Sequence, residues 1–108
     1  MSGYVLIESR DPFESNGVAH LQTLARGLAA EGAAVTMFLV QNGVLAARVG
    51  ANARGLNQLA AAGITIFADD FSLRERAISP TALSSGIAAA SMDMVIDRMA
   101  NGCKILWH

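Results

Sequence analysis

Three polar segments of the sequence, each directly after a short apolar stretch, contain the side chains best suited to binding or chemistry. The first and longest, 8–16, holds three carboxylates and one arginine; the second, 41–43, is Gln-Asn-Gly; the third, 69–70, is a pair of aspartates. Paired carboxylates can bind a cation or share a proton, and backbone N–H groups in a tight turn can contact a ligand. The candidate ligand-binding residues are therefore Glu8, Arg10, Asp11, Asn42, Gly43, Asp69 and Asp70.

Each of these segments also has a purely structural interpretation. Asp11-Pro12 is typical of a turn, and the acids of segment 8–16 would favour the N-terminus of the helix that follows. The two aspartates of the third segment can cap a helix that begins near Phe71. We favour these structural roles for the acidic segments, whereas the Gln-Asn-Gly turn, whose Asn-Gly pair suits a positive φ, leaves both alternatives open.

Several well-known kinds of site are missing from the sequence. Neither a Gly-x-Gly-x-x-Gly fingerprint nor a P-loop is present, and the acids of the first segment are unsuited to cradling phosphate, so we expect no nucleotide. One cysteine excludes both an internal disulfide and a cysteine-rich zinc site. We therefore expect no cofactor and no metal, and the sequence assigns no catalytic residue.

Cys103 is the only thiol, and its position at the start of the last apolar stretch argues against reactivity. A reactive thiolate needs exposure and nearby positive charge, but the adjacent Lys104 would point to the other face of a strand. We expect a buried or half-buried structural cysteine, with a reactive thiol as the alternative. Of the two histidines, His20 falls in the first helix, and we expect His108, the final residue, to fray.

An alternation of apolar stretches with alanine-rich segments predicts the elements that position these residues. Three times a helical segment ends at a glycine (Gly32, Gly63, Gly102) and a β-branched or aromatic stretch follows, as expected for a left-handed glycine that closes a helix before a strand covered on both faces. Gly50 predicts a break in the second helical segment, with Asn52 capping its second piece. We expect strands at Tyr4–Glu8, Ala34–Val40, Ile64–Ala68, Gly86–Ala90 and Cys103–Trp107.

The resulting order, β-α-β-α-β-α-β-α-β, predicts a parallel sheet with right-handed crossovers. Residues 1–108 would form a single three-layer α/β domain of about five mostly parallel strands flanked by helices, with a flavodoxin-like topology. Ligands bind beyond the carboxyl ends of the strands in such sheets. All three polar segments lie at that edge, and Cys103 lies at the opposite one.

Composition narrows the class of protein further. Hydrophobic residues make up 53% of the chain and charged residues only 16%, against about 25% in an average soluble domain, which excludes a disordered chain and predicts that other subunits cover part of the surface. A net charge of −1 provides no basic field for nucleic acid or an anionic membrane. No stretch approaches the ~20 apolar residues of a membrane span, and the N-terminus is unlike a signal peptide, so we expect a cytoplasmic protein.

Several of these segments resemble the DsrE/DsrF/DsrH proteins, which are related to the TusB, TusC and TusD subunits. The stretch 64–78, an apolar strand followed by two acids and then Leu-Arg-Glu-Arg-Ala-Ile, resembles the third strand and following helix of that family. The turn 41–44, Gln-Asn-Gly-Val, is similar to the Gln-Asp-Gly-Val turn of the DsrH/TusB branch. The Ser-Arg-Asp-Pro-Phe loop at 9–13, the Ser-Met-Asp opening of the last helix at 91–93 and an aromatic residue near the C-terminus also fit, so the likeness covers nearly the whole chain through short motifs.

The resemblance implies a small α/β subunit of dimers, trimers or hexamers, assembled with copies of itself or with sulfur-relay subunits. Some relatives carry sulfur as a cysteine persulfide, and in the DsrE/TusD branch that cysteine lies just after strand three. Here residues 69–72 are Asp-Asp-Phe-Ser, and the first helical region, 17–30, has no cysteine either. The predicted function is therefore an accessory sulfur-relay subunit without a carrier thiol. Two alternatives remain open: a small-ligand-binding or enzymatic pocket at the carboxyl edge, and a plain oligomeric interaction module.

Overall fold

The computed structural model describes residues 3–50 and 54–108, with Arg54 described by its backbone alone. One sheet contains five strands: β1 Tyr4–Glu8, β2 Val35–Leu39, β3 Thr65–Asp69, β4 Ile87–Ala90 and β5 Lys104–Trp107. The helices are α1 Gly17–Ala30, α2 Arg54–Ala61, α3 Asp70–Glu75 and α4 Asp93–Ala100, with short 3-10 segments at Gln41–Ala47 and Pro80–Ala82. None of the helices in these ranges is long and apolar enough to cross a membrane.

The strands are all parallel and lie in the order β4-β3-β2-β1-β5. The predicted α/β domain with a parallel sheet is thereby confirmed. The order differs from the 2-1-3-4-5 order of flavodoxin. The flavodoxin-like topology that we expected is therefore found in the layers of the domain but not in the order of the strands. The reason is physical, since an apolar stretch shows that a strand is buried without showing which strands lie beside it.

Each helix covers the face of the sheet that is set by the direction in which the chain moves from one strand to the next. The chain steps from β1 to β4 toward one edge, so right-handed crossovers place these connections on one face, and the return from β4 to β5 crosses the other. Packing agrees with this rule, because Leu56 and Leu73 pack with Leu6 in one core cluster whereas Val95 of α4 packs with Val5 in another. We call these two sides of the sheet the α1 face and the α4 face.

Burial decreases from the middle of the sheet toward β5. The central residues of β1 are fully buried, whereas β5 lies at the edge and three of its four residues are exposed. Trp107 is 62% exposed, and Leu106, on the opposite side of the strand, is 40% exposed. On α4, Ile96 and Met99 are also more than half exposed. Large exposed apolar side chains therefore occur on β5 and α4, and also outside them at Phe13, Val49 and Phe71.

The turns between elements largely follow the glycines. Gly32, Gly63 and Gly102 adopt φ angles of 92°, 91° and 91°, so the predicted left-handed turns are confirmed. Gly50 has a φ of 82° and lies in the predicted interruption of the second helical segment. The first piece of that segment is a 3-10 helix rather than an α-helix, and the predicted cap Asn52 lies outside the described residues.

Phe38 is the side chain through which packing on the α4 face can be tested, because it is fully buried in β2. Phe38→Ala should lower the free energy of unfolding by about 3–5 kcal/mol, through lost apolar burial and the cavity left behind. Urea unfolding followed by circular dichroism measures the change. Phe13→Ala is the matched control, since Phe13 is 82% exposed and its truncation should change stability by less than about 0.5 kcal/mol. Equal losses in the two variants would contradict the assignment of this core.

Candidate functional site at the carboxyl edge of the sheet

A buried carboxylate joins the first strand to the last at the carboxyl edge. Glu8 ends β1 and is only 2% exposed. Its two carboxylate oxygens lie 2.9 and 2.8 Å from Nδ1 of His108, the residue that follows β5. The backbone N–H of Arg10 also donates to Oε2 of Glu8, at 3.0 Å. A carboxylate at this depth needs such partners, because an unpaired buried charge costs several kcal/mol.

Hydrogen bonds of the His108 backbone hold this residue in place in addition to those of its side chain. Its N–H donates to the carbonyl of Ile7 at 2.8 Å, and its own carbonyl accepts both the N–H and the hydroxyl of Ser9, each at 2.8 Å. The expectation that His108 frays is therefore wrong. The parallel register of β5 with β1 continues one residue past the end of the strand and captures it.

The second nitrogen of the His108 ring faces the start of α1. A methyl group built on Gly17 would overlap Nε2 of His108 and would lie 3.2 Å from the hydroxyl oxygen of Ser15. Only a residue without a side chain allows the imidazole this close approach. If Glu8 is ionised, Nδ1 must carry the proton that lies between them, because an ionised carboxylate only accepts. Nε2 has no hydrogen-bond partner among the described residues, and in the neutral ring it is the nitrogen with the lone pair.

The aspartate pair after β3 divides between two different roles. Asp69 is buried and accepts from the N–H and the hydroxyl of Ser72, at 3.0 and 2.7 Å, so it caps α3 as the structural interpretation predicted. The Ser72 hydroxyl in turn accepts the N–H of Gln41 at 2.8 Å and ties β2 to α3. Asp70 takes no part in these hydrogen bonds, and the guanidinium of Arg74 lies 3.9 Å from its carboxylate. No group of three metal-binding side chains is found in residues 3–50 and 54–108.

The turn after β2 is strained at a different residue from the one expected. The positive φ, 51°, belongs to Gln41 and not to the Asn-Gly pair. Gly43 is required for another reason, since a Cβ there would overlap the backbone oxygen of Glu8. The N–H groups of Gln41 and Gly43 are already used, by Ser72 and by the carbonyl of Val40. The idea that this turn offers these two N–H groups to a ligand is therefore wrong.

Asn42 links the loop after β1 to the end of α3. Its amide nitrogen donates to the carboxylate of Glu14 at 3.1 Å, and its amide oxygen accepts two bonds from the guanidinium of Arg76, at 3.3 and 3.1 Å. Sequence reasoning missed both partners, because they lie 28 and 34 residues away along the chain. A surface chain of polar contacts therefore runs across the carboxyl edge.

The structure brings only some of the predicted site residues together. Glu8, Arg10 and Gly43 line one cavity of about 10 Å³, which is room for a single water molecule. Asp11 lines a separate groove of about 380 Å³ with Phe13 and Arg48 among its other residues. The aspartate pair lies beyond β2, at the end of β3. The seven candidates thus form parts of one edge rather than the wall of one pocket.

Cys103 lies where the sequence predicted it. It is half-buried at the amino edge of the sheet, directly before β5, and packs beside the core cluster of the α4 face. Its N–H donates to the carbonyl of Arg98 at the end of α4, at 3.0 Å. The thiol and the Glu8–His108 pair are therefore at opposite ends of the strands.

Comparisons with known proteins identify the fold. No family model matches the chain, and a search of curated proteins finds no relative. Solved structures do match: the ychN protein from E. coli, which has the DsrE-like fold, superposes with a TM-score of 0.89 at 19% identity over the whole of both chains. MTH1491 from Methanobacterium thermoautotrophicum, described as a protein of unknown function, gives 0.80 at 20% identity, also over both whole chains. BT1422 from Bacteroides thetaiotaomicron gives 0.75 at 21%, over 97% of this chain and 94% of the other. At such identities the likeness concerns the fold.

The close approach of Gly43 to β1 predicts an asymmetric response to one substitution made at two glycines. Gly43→Ala should lower the free energy of unfolding by about 1–3 kcal/mol, because the added methyl displaces the backbone of Glu8. Gly27→Ala in α1 is the matched control, since its methyl would meet nothing within 4 Å and should stabilise the helix by about 1 kcal/mol. Urea unfolding measures both, and a neutral Gly43→Ala would contradict the observed contact.

Proposed function

We propose that the chain is an accessory subunit of a DsrE-like, sulfur-relay assembly and that it does not carry sulfur itself. The observation that supports this most is the occupancy of the position after β3, where the family that the sequence resembles has its carrier cysteine. Here that position holds the Asp69–Ser72 cap, whose buried hydrogen bonds tie α3 to β2. At this position of the carboxyl edge, the hydrogen bonds of Asp69 and Ser72 therefore stand where a carrier thiol would be expected.

The surroundings of Cys103 support the same conclusion. The residue lies three positions after the C-terminal end of α4, and not at a helix N-terminus. Reactive cysteines are found instead at helix N-termini or beside cations. Strand alternation points Lys104, the nearest cation along the chain, to the other face of the sheet. Cys103 is also half-buried against an apolar cluster, which limits access to its sulfur.

Assembly with other subunits accounts for the exposed apolar residues. Val95 packs against the sheet while Ile96 and Met99, on an adjacent flank of α4, are 58% and 56% exposed. Trp107 adds a large exposed aromatic group on β5. Because only 16% of the residues are charged, few charged side chains surround this apolar surface to keep it soluble. We propose that copies of this chain, or subunits that carry a thiol, cover this region.

The carboxyl edge is better suited to a partner protein than to an enclosed small molecule. The cavity beside Glu8 holds about one water molecule, the groove of about 380 Å³ at Asp11 is open at the surface rather than enclosed, and the polar groups around Asn42 form a surface network with one another. An open polar edge of this kind resembles the rim of a protein interface. We therefore propose that the solvent-accessible candidates at this edge contact a partner subunit; they are Arg10, Asp11, Asn42 and Asp70.

The absence of a carrier thiol predicts a specific result with a persulfide donor. After treatment with inorganic polysulfide, intact-mass spectrometry should show no stable addition of sulfur to the chain, because Cys103 is half-buried and poorly activated. Phe71→Cys is the positive control, since residue 71 is exposed just after β3 and its new thiol should gain sulfur. Sulfur on the unmodified chain that disappears in Cys103→Ser would overturn the proposal.

The exposed apolar surface predicts association in solution. Light scattering at micromolar concentration should give a multiple of the 11.3 kDa monomer mass. Ile96→Asp should shift the protein toward the monomer, because a charge in the covered region must be desolvated. Leu24→Asp is the matched control on the α1 face, and at 43% exposure it should leave the mass unchanged. A monomeric unmodified protein would contradict the assembly proposed here.

A further inference from the structure

We propose that His108 is a general base that takes the proton from a cysteine thiol of a partner subunit docked at the carboxyl edge. This inference rests on the proposed function, which supplies the thiol-bearing partner. The chain would then contribute a base to a sulfur transfer for which it has no thiol of its own. Three features of the described residues support the assignment. They are the place of the Glu8–His108 pair in the fold, the orientation of the imidazole ring, and the fact that backbone hydrogen bonds already join the two strand ends without this pair.

The Glu8–His108 pair lies where this class of fold places its ligands. β1 and β5 are neighbours in the sheet, but α1 leaves β1 across one face while α4 enters β5 across the other. In open parallel sheets, ligands bind in the crevice beyond the carboxyl ends of the strands, at the point where the strand order reverses, and here the order reverses between β1 and β5. Glu8 is the last residue of β1 and His108 directly follows β5, so the pair spans this crevice.

The ring is oriented as a base rather than only as a hydrogen-bond donor. The Glu8 carboxylate, 2.8 Å from Nδ1, fixes the tautomer and leaves the lone pair on Nε2. The side chain of His108 as a whole remains 28% exposed. His108 does not line the cavity beside Glu8 or the two grooves described at residues 11–50 and 49–85, and we infer that the reacting group arrives on the surface of a docked macromolecule.

The proton transfer balances without any further reactant. The partner's S–H bond breaks, its electron pair stays on sulfur as a thiolate, and the proton forms the Nε2–H bond of His108. The positive imidazolium that results lies against the negative Glu8 carboxylate, which stabilises it. The thiolate is the form of cysteine that attacks a persulfide or accepts sulfur, so the base would raise the reactive fraction of the partner's thiol.

A purely structural tie would not need this pair. Backbone bonds from His108 to Ile7 and from Ser9 to His108 already fix the register of the two strand ends. Burying a carboxylate costs several kcal/mol before its partners compensate, and an apolar pair of similar size would hold the strands without that cost. Gly17 is a second feature that accommodates the His108 ring, because a methyl group at residue 17 would displace the imidazole.

An engineered thiol at residue 15 tests the base directly, with no partner required. The Ser15 hydroxyl and Nε2 of His108 both lie close to the point that a methyl group on Gly17 would occupy, so Ser15→Cys in a Cys103→Ser background places a single thiol near the imidazole. Its alkylation by iodoacetamide, followed across pH, should show a midpoint below the ordinary thiol pKa of about 8.5. Glu8→Gln or His108→Gln in that background should slow alkylation at pH 7 about tenfold, the effect of one unit of thiol pKa.

Controls separate the base from the other influences on that thiol. The α1 N-terminus acts equally on the residue-15 thiol in all these variants, so it cancels in the comparison. Ser85→Cys, an exposed turn position at the opposite edge, should react at a rate that Glu8→Gln leaves unchanged. Circular dichroism confirms folding, and Glu8→Gln keeps the test available should His108→Gln unfold.

Two results would overturn the inference. One is an alkylation profile of the residue-15 thiol that neither Glu8→Gln nor His108→Gln alters. The other, which needs no substitution, is a nitrogen NMR spectrum showing the neutral His108 ring protonated at Nε2 instead of Nδ1. Neither result bears on whether Cys103 carries sulfur, so failure here and failure of the accessory role are distinguishable.

Discussion

The pairing of β5 with β1 is the constraint on which the rest of the carboxyl edge depends. It joins residues about a hundred positions apart and sets Ile7 beside Trp107, so that Glu8 meets His108 one step further along. The same pairing requires the chain to return across the sheet, which places α4 alone on its face within the described part of the molecule. A shift of one residue in this register would turn every β5 side chain to the other face and would separate the carboxylate from the imidazole.

Features set by neighbouring residues could be predicted from the sequence. The strands follow from compact β-branched and aromatic stretches, and the turns at Gly32, Gly63 and Gly102 follow from the need for a left-handed residue after a helix. The opposite locations of the polar segments and Cys103 follow from parallel order alone. The Asp69 cap was accessible in the same way, because it bonds a residue only three positions away.

Features set by distant partners could not be predicted. His108 looks like a mobile end in the sequence, and only the strand order shows that it lies against Glu8. The Asn-Gly turn misled for a related reason: local propensity favours a left-handed Asn or Gly, but the bond from Gln41 to Ser72 and the contact of Gly43 with β1 move the strain to Gln41. Tertiary contacts outweighed an intrinsic preference of about 1 kcal/mol at a single residue.

The position of β5 also has a consequence for the order in which the molecule folds. Contacts between β1 and β2 close a loop of about thirty residues, whereas those between β1 and β5 close one of about a hundred, which costs more chain entropy and forms later. While the ribosome is still adding α4, one edge of β1 therefore has no strand beside it. At that stage Glu8 does not yet have the His108 imidazole as its hydrogen-bond partner. The acid–base pair is completed only by the last strand, so an incompletely made chain lacks it even where the other four strands are already in place.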